Sequence, residues 1–342
     1  MKHKYAELLK QVEIEHANSE LLTKNSKVLI IDGMNTYIRT FSASPALNDN
    51  GEHVGGFYGF INTLKSIVKT INPTRVIIVF DGKGGSQKRK KIYANYKQGR
   101  AIKNKLNRVL EFDIDEEQKL LKLQFIRLLE YLDCLPVTIM SYDYVEADDV
   151  IAYIAHECLR DEVIIYSNDK DYFQLINDRI SVYFPAKTKL YTKKDIIEEY
   201  DILPENFIWH KVVIGDKSDN VKGIYGIGAG KFNNAFTFLK DQPYDLDSFK
   251  TKLTEFDNKV INKVKESLDI IDRNYYIMQL LDVDISGNTK SKIMGVLENE
   301  IPELKKIPLK KLMIEDKLNS LIKNYELWLS NCFDKLNKYR NK

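Results

Sequence analysis

Three continuous apolar runs organise the chain: Lys27–Ile31, Arg75–Phe80 and Glu162–Ser167. None alternates apolar with polar, so each reads as a short strand buried on both faces of a parallel sheet. Between the first two, Phe57, Phe60, Ile61, Leu64, Ile67, Val68 and Ile71 repeat at helical spacing, and Asn72-Pro73 stops that helix. Strand, helix, strand is a βαβ unit. The same reading gives a helix at about 116–132, a short strand at 134–140, a helix at 146–158 and a strand pair at 180–192. From about 193 the spacing is helical. The expected fold is α/β, a central mostly parallel sheet with helices on both faces. The expected divisions are a helix-prone extension at 1–26, a core at 27–192, a helical region at 193–290 and a helical tail at 291–342.

One segment breaks the pattern. Residues 83–110 carry ten Lys or Arg, no Asp or Glu and few large apolar residues. They make a poor core helix and predict an arch over about 83–115. Arg89, Tyr93, Tyr96, Lys97 and Arg100 interleave cations with aromatics, a pattern suited to phosphates and stacked bases. If the segment is helical there, Tyr93, Lys97 and Arg100 share a face; a solvated charged face is the plainer reading. The net charge of the 342 residues is only +3, so one polyanion-facing surface is expected rather than a basic protein.

Each strand run leads into an aspartate: Asp32, Asp81 and Asp169. One such residue is ordinarily a turn former or a helix cap. Three at the carboxyl edge of one sheet converge where α/β proteins bind ligands. Glu146, Asp148 and Asp149 open a helix, where acids also favour the dipole. Asp171 reads as the cap of a helix at 171–176, and Asp216 and Asp219 flank a turn. Nine carboxylates with few cations nearby repel one another, and divalent cations would relieve this. Oxygen donors suit Mg²⁺ or Mn²⁺. Two such ions about 4 Å apart can activate water against a phosphodiester.

Composition removes other classes. Three scattered cysteines and five histidines show neither a disulfide framework nor zinc-ligand spacing. No run approaches the roughly 20 apolar residues that span a bilayer, and the N-terminus lacks a signal-peptide core; no membrane association and a cytoplasmic location are expected. Gly223–Lys231 fails as a P-loop, because Tyr225 and Phe232 stand where Gly and Ser or Thr are needed. It suits a hairpin whose N–H groups grip a phosphate.

Taken in order, Ile31-Asp32-Gly-Met-Asn, Phe80-Asp81-Gly, Tyr96-Lys97-Gln-Gly-Arg100, Glu146-Ala-Asp148-Asp149, Ser167-Asn-Asp169-Lys-Asp171 and Gly215-Asp216-Lys-Ser-Asp219-Asn220 resemble the flap endonuclease and 5′-to-3′ exonuclease family. That family includes bacteriophage 5′ nucleases, the phage RNase H and the N-terminal nuclease domain of DNA polymerase I. The resemblance spans about 32–231. It implies a PIN-like core, a helical arch and a helix-hairpin-helix region. It implies hydrolysis of DNA at a 5′ flap, a free 5′ end or an RNA primer, by two metal ions. It assigns Asp32, Asp81, Glu146, Asp148 and Asp169 to an inner metal cluster, with Asp171 close, and Asp149, Asp216 and Asp219 to its outer part. Lys97 and Arg100 would steer the scissile phosphate. Gly226, Gly228, Gly230 and Lys231 would hold duplex DNA, with K⁺ at the turn. The length, without a polymerase module, leads one to expect a free-standing, monomeric phage-type enzyme whose tail meets a replication protein. A haloacid dehalogenase phosphatase would need Asp-x-Asp, and Met34 stands there instead. A PIN-type ribonuclease and a non-catalytic DNA-binding homologue are the alternatives.

Overall fold

The computed structural model describes residues 22–98, 105–107, 111, 113–330 and 332–341. Most of the expected N-terminal extension, Arg100 and the middle of the expected arch lie outside the described residues.

Six strands form one sheet: β1 (Lys27–Asp32), β2 (Arg75–Val79), β3 (Thr138–Met140), β4 (Glu162–Tyr166), β5 (Ile180–Phe184) and β6 (Lys189–Tyr191). Their spatial order is β3-β2-β1-β4-β5-β6, parallel throughout except for antiparallel β6. This is the mostly parallel sheet that the apolar runs predict. β3 is shorter than expected, because 134–137 form a turn ahead of it.

The unbroken apolar character of the strands follows from their two-sided burial. Successive side chains point to opposite faces. Val28, Ile30, Ile77, Val79, Val163 and Ile165 enter one core. Leu29, Ile31, Val76, Ile78, Ile164 and Tyr166 enter the other. The second core is closed by the helices Gly33–Ala43, Gly55–Ile71 and Ile114–Asp133, and by Leu309, Trp328 and Phe333 from the C-terminal helices. The first is closed by Ala147–Tyr153, which runs on as a π turn at Ile154–Cys158, and by Trp209, Ile271 and Ile293. Among the described residues no helix is long and apolar enough to cross a membrane.

Local chemistry sets the boundaries. Asn72 takes the left-handed conformation (φ 50°) that ends the helix Gly55–Ile71, and Pro73 follows. Asp113 and Glu116 form a reciprocal capping box at Ile114–Asp133. The expected helix at 171–176 is a 3-10 turn over Lys170–Leu175, and its cap is Asp169 rather than Asp171.

The chain builds β2 and β3 on one side of β1, then crosses to build β4 and β5 on the other. Consecutive connections leave β1 and β4 in opposite directions, which opens a crevice at their carboxyl ends. Phe207–Ile214 and Leu268–Met278 pack together, with Trp209 stacked on Tyr275 at 5.2 Å.

Candidate functional site

Asp32 closes β1, Asp81 lies two residues past β2, and Asp169 three past β4. Neighbouring strands lie about 4.8 Å apart, so this alone brings the three carboxylates together. Glycine makes two of these strand ends possible. A Cβ on Gly33 would fall 2.5 Å from the Phe80 ring, and one on Gly82 only 1.6 Å from the Tyr142 carbonyl oxygen. Asp32, Asp81 and Asp169 line a cavity of about 650 Å³ together with Asp148, Asp219 and Lys97. The plainer capping role holds as well. Asp32 accepts from the Asn35 N–H at 3.1 Å, Asp169 from the Asp171 N–H at 2.8 Å, and Asp81 from the Ala147 N–H at 2.9 Å. Capping and cavity-lining are thus two uses of the same side chains.

The acid-bearing helix contributes the next group. Glu146 is 3% exposed and accepts from both Arg89 and Lys97. The Arg89 guanidinium also grips Asp149 through two bonds, 2.7 and 3.0 Å, and stands 3.4 Å from Asp148. Its Nε donates to the Ile277 carbonyl at 2.7 Å. A third group lies across the crevice. Lys211 reaches Asp171 at 2.6 Å and also binds Asp216, whose other oxygen accepts from Ser218. The expectation of carboxylates with few cations is therefore corrected: Arg89, Lys97 and Lys211 stand among them. Lys211 went unremarked in the sequence, although a lysine inside the apolar helix Phe207–Ile214 is itself a signal.

Burial and like charge shift these groups. Burial raises Asp32 to about 7, the charges of Asp169 and Asp81 push the same way, and Asn35 and Ser167 oppose them. Burial, then Asp148, raises Asp149 to about 7 against Arg89. Burial, then Asp169, raises Asp171 to about 8 against Lys211. Asp169 is raised by burial too. Asp216 is the reverse case. Burial works against its charge, but Lys211 and Ser218 outweigh it and bring it down to about 2. Lys97 and Lys211 are held protonated, because the surrounding acids overcome the burial that would discharge them.

The residues fit divalent cations. Glu146, Asp148 and Asp149 each offer an oxygen within 4.8 Å of the others. The cavity offers carboxylate oxygens from Asp32, Asp81, Asp148, Asp169 and Asp219 beside the oxygens of Asn35, Asn168 and Tyr172, and burial pushes Asp32 and Asp169 toward their neutral forms. Such a set binds hard cations in exchange for protons.

The residues expected to meet nucleic acid divide. Lys97 lines the cavity, held by its N–H to the Asp219 carbonyl at 2.8 Å in a left-handed conformation (φ 53°). Residues 94–98 are a turn, so the expected shared helical face of Tyr93, Lys97 and Arg100 does not form. Arg89 and Tyr96 are corrected more sharply. They are 7% and 2% exposed, and both bond Glu146, so neither presents itself to a solvent-borne strand. Tyr93 is half-buried under Arg273, 4.5 Å from the ring centre. Gly226 has φ 77°, while Gly228 and Gly230 face open space. Lys231 is exposed and donates to the Gly226 carbonyl at 2.8 Å. A turn therefore leads into the helix Ala229–Ala235.

Residues 27–201 match the family model described as 5′-3′ exonuclease, N-terminal resolvase-like domain. The chain is 32% identical over 303 residues to a 5′-3′ exonuclease of Aquifex aeolicus, covering 87% of this chain and 94% of that relative. It is 31% identical to DNA polymerase I of Bacillus subtilis over 72% of this chain, but spans only 26% of that much longer relative. Among solved structures, the bacteriophage T5 D15 protein crystallised with metal ions aligns with a TM-score of 0.56 at 22% identity, covering 85% of this chain and 98% of that one. The T5 flap endonuclease in a complex with DNA and metal ions aligns at 0.57 and 23% identity, covering 85% and 99%. These two likenesses show a shared fold.

Proposed function

The chain belongs to the 5′-3′ exonuclease family and is a nuclease, and we propose that it cuts DNA by structure rather than by sequence, at a 5′ flap, a free 5′ end or an RNA primer. The observation that carries this reading is the cavity at the switch point of the sheet. It brings Asp32, Asp81, Asp148, Asp169 and Asp219 together with Lys97 and Arg39. A phosphodiester entering there meets a cation from the chain and a seat for cations opposite.

Asp32, Asp81, Glu146, Asp148 and Asp169 would hold Mg²⁺, or Mn²⁺ in its place, with Asp149, Asp171, Asp216 and Asp219 supporting a second ion. When bound, the ions supply an activated water and neutralise the charge developing on the leaving oxygen. Lys97 contributes what a fixed ammonium can: it attracts the scissile phosphate and offsets the charge on its non-bridging oxygens. Arg100 would act alongside it. The turn through Gly226, Gly228 and Gly230 with Lys231 would hold the duplex as part of a helix-hairpin-helix, with K⁺ at the turn. The enzyme is read as a monomer acting on DNA in the cytoplasm, with the C-terminal helices meeting a replication protein.

The test is a 5′-flap substrate labelled at its 5′ end, compared with nicked and RNA-primed duplexes. Mg²⁺ should release short labelled products, and EDTA should stop the release. No cleavage with either Mg²⁺ or Mn²⁺ would refute the reading.

A further inference from the structure

Arg89 was expected on a DNA-facing surface and is instead an internal joint. It lies in the short helix Gln87–Ile92, at the start of the basic segment. Its guanidinium uses its donors in three directions. Nη1 binds Glu146, both Nη atoms bind Asp149 at 3.0 and 2.7 Å, and Nε binds the Ile277 carbonyl at 2.7 Å. One side chain thus ties the first leg of the basic segment to the acid-bearing helix and to the helix Leu268–Met278. The leg is held again eight residues later. The Lys97 N–H binds the Asp219 carbonyl at 2.8 Å, the Asn220 amide binds the Asn95 carbonyl at 2.9 Å, and the Tyr96 hydroxyl lies 3.2 Å from Glu146. Glu146 is shared by both anchors, since Lys97 binds its other oxygen.

We propose that Arg89 is a positioning residue for cleavage: by seating its fork on Glu146 and Asp149 it fixes the first leg of the basic segment and so sets where the Lys97 ammonium stands. The proposal rests on the nuclease reading above. A buried ion pair is by itself weak grounds for a stability role, and shape is what distinguishes this one. A planar fork can bridge two carboxylates and a carbonyl at once, whereas a lysine is a point charge and cannot. If neutralisation alone mattered, lysine would serve as well. If position matters, it will not, because a misplacement of about 1 Å at a reacting group costs on the order of 100-fold.

The experiment compares wild type, Arg89→Lys, Arg89→Met, Lys97→Ala and Arg89→Met/Lys97→Ala on the flap substrate with Mg²⁺. Both Arg89 variants should lose on the order of 100-fold in kcat. Duplex affinity, measured with Ca²⁺, should stay within about threefold. Adding Arg89→Met to Lys97→Ala should cost little more, since one acts through the other. In EDTA, trypsin should cut after Lys97 about tenfold faster in either Arg89 variant, because the leg opens locally. Should Arg89→Met fail to fold, Arg89→Lys decides. Wild-type kcat in Arg89→Lys, fully additive losses in the double variant, or unchanged trypsin cleavage would each overturn the proposal. An inactive wild type would instead refute the nuclease reading.

Discussion

Asp32 should be worth more to the metal-free fold as asparagine than as itself. Its carboxyl rises from an ordinary 3.8 to about 7 because it is buried beside Asp169 and Asp81. A folded pKa above the unfolded one means that the native state keeps its proton longer. The stability this group allows is therefore complete below pH 3.8 and is lost as the pH climbs toward 7. At 1.36 kcal/mol per pH unit, the ceiling on that loss is about 4 kcal/mol at pH 8 and about 2 kcal/mol at pH 5.5. Water in the open cavity relieves part of the cost, so about half of each figure is expected. Asp32→Asn removes the titration while keeping the shape. Its oxygen can still accept from Asn35, and the Ser167 and Tyr172 hydroxyls, at 3.1 and 3.4 Å, can turn to accept from its amide. Urea unfolding in EDTA should thus show the variant more stable by about 2 kcal/mol at pH 8 and about 1 kcal/mol at pH 5.5, with no change in the denaturant slope. Added Mg²⁺ should stabilise the wild type most at pH 8 and the variant far less, and the variant should not cleave. A variant no more stable than wild type at pH 8, or a gain that does not grow with pH, would refute the reasoning.

Two further changes probe the cations. Lys97→Ala should slow flap cleavage on the order of 100-fold while leaving duplex affinity nearly unchanged, as for loss of a group that acts on the transition state; an equal loss of both would make Lys97 a general phosphate contact. Lys211→Met leaves Asp171 and Asp216 facing each other without their shared cation and should destabilise the protein by about 3 kcal/mol at pH 8. The deficit should grow as the pH rises above the Asp171 value of about 8, where that carboxyl is ionised in the wild-type fold but still protonated in the variant; a melting temperature equal to wild type would remove Lys211 from that role.

The sheet was legible because its strands are buried on both faces. Two-sided burial writes unbroken apolar runs, and each run leads into an aspartate that lines the cavity. The acids of 146–149 were legible too, since three carboxylates exceed what a helix dipole needs. The basic segment misled for a physical reason. Ten cations in succession look alike to a charge count, but Arg89 and Lys97 are turned inward by acids more than 45 residues away in sequence. Only tertiary packing distinguishes them from Lys88 or Lys90, which are exposed. The turn at 94–98 escaped because left-handed Lys97 is stabilised by the Asp219 carbonyl, not by a glycine. Lys211 is masked by its setting, since a single lysine among the apolar residues of Phe207–Ile214 shows its purpose only when the fold brings Asp171 and Asp216 to it.

The fold tolerates its like charges in two ways, and the difference locates the exchangeable positions. Among the described residues, nine carboxylates against the three cations that pair with them, Arg89, Lys97 and Lys211, would leave six negative charges if every acid were ionised. Glu146 and Asp216 are stabilised by fixed ammonium and guanidinium groups, which hold their place. Asp32 and Asp169 rest instead on N–H and hydroxyl donors, and their pKa values are raised, so a proton carries part of the relief. A proton leaves without moving a side chain, whereas Arg89 or Lys211 would have to withdraw from several bonds at once. A cation entering the cavity at the strand-end pair would displace a proton there rather than a fixed side chain.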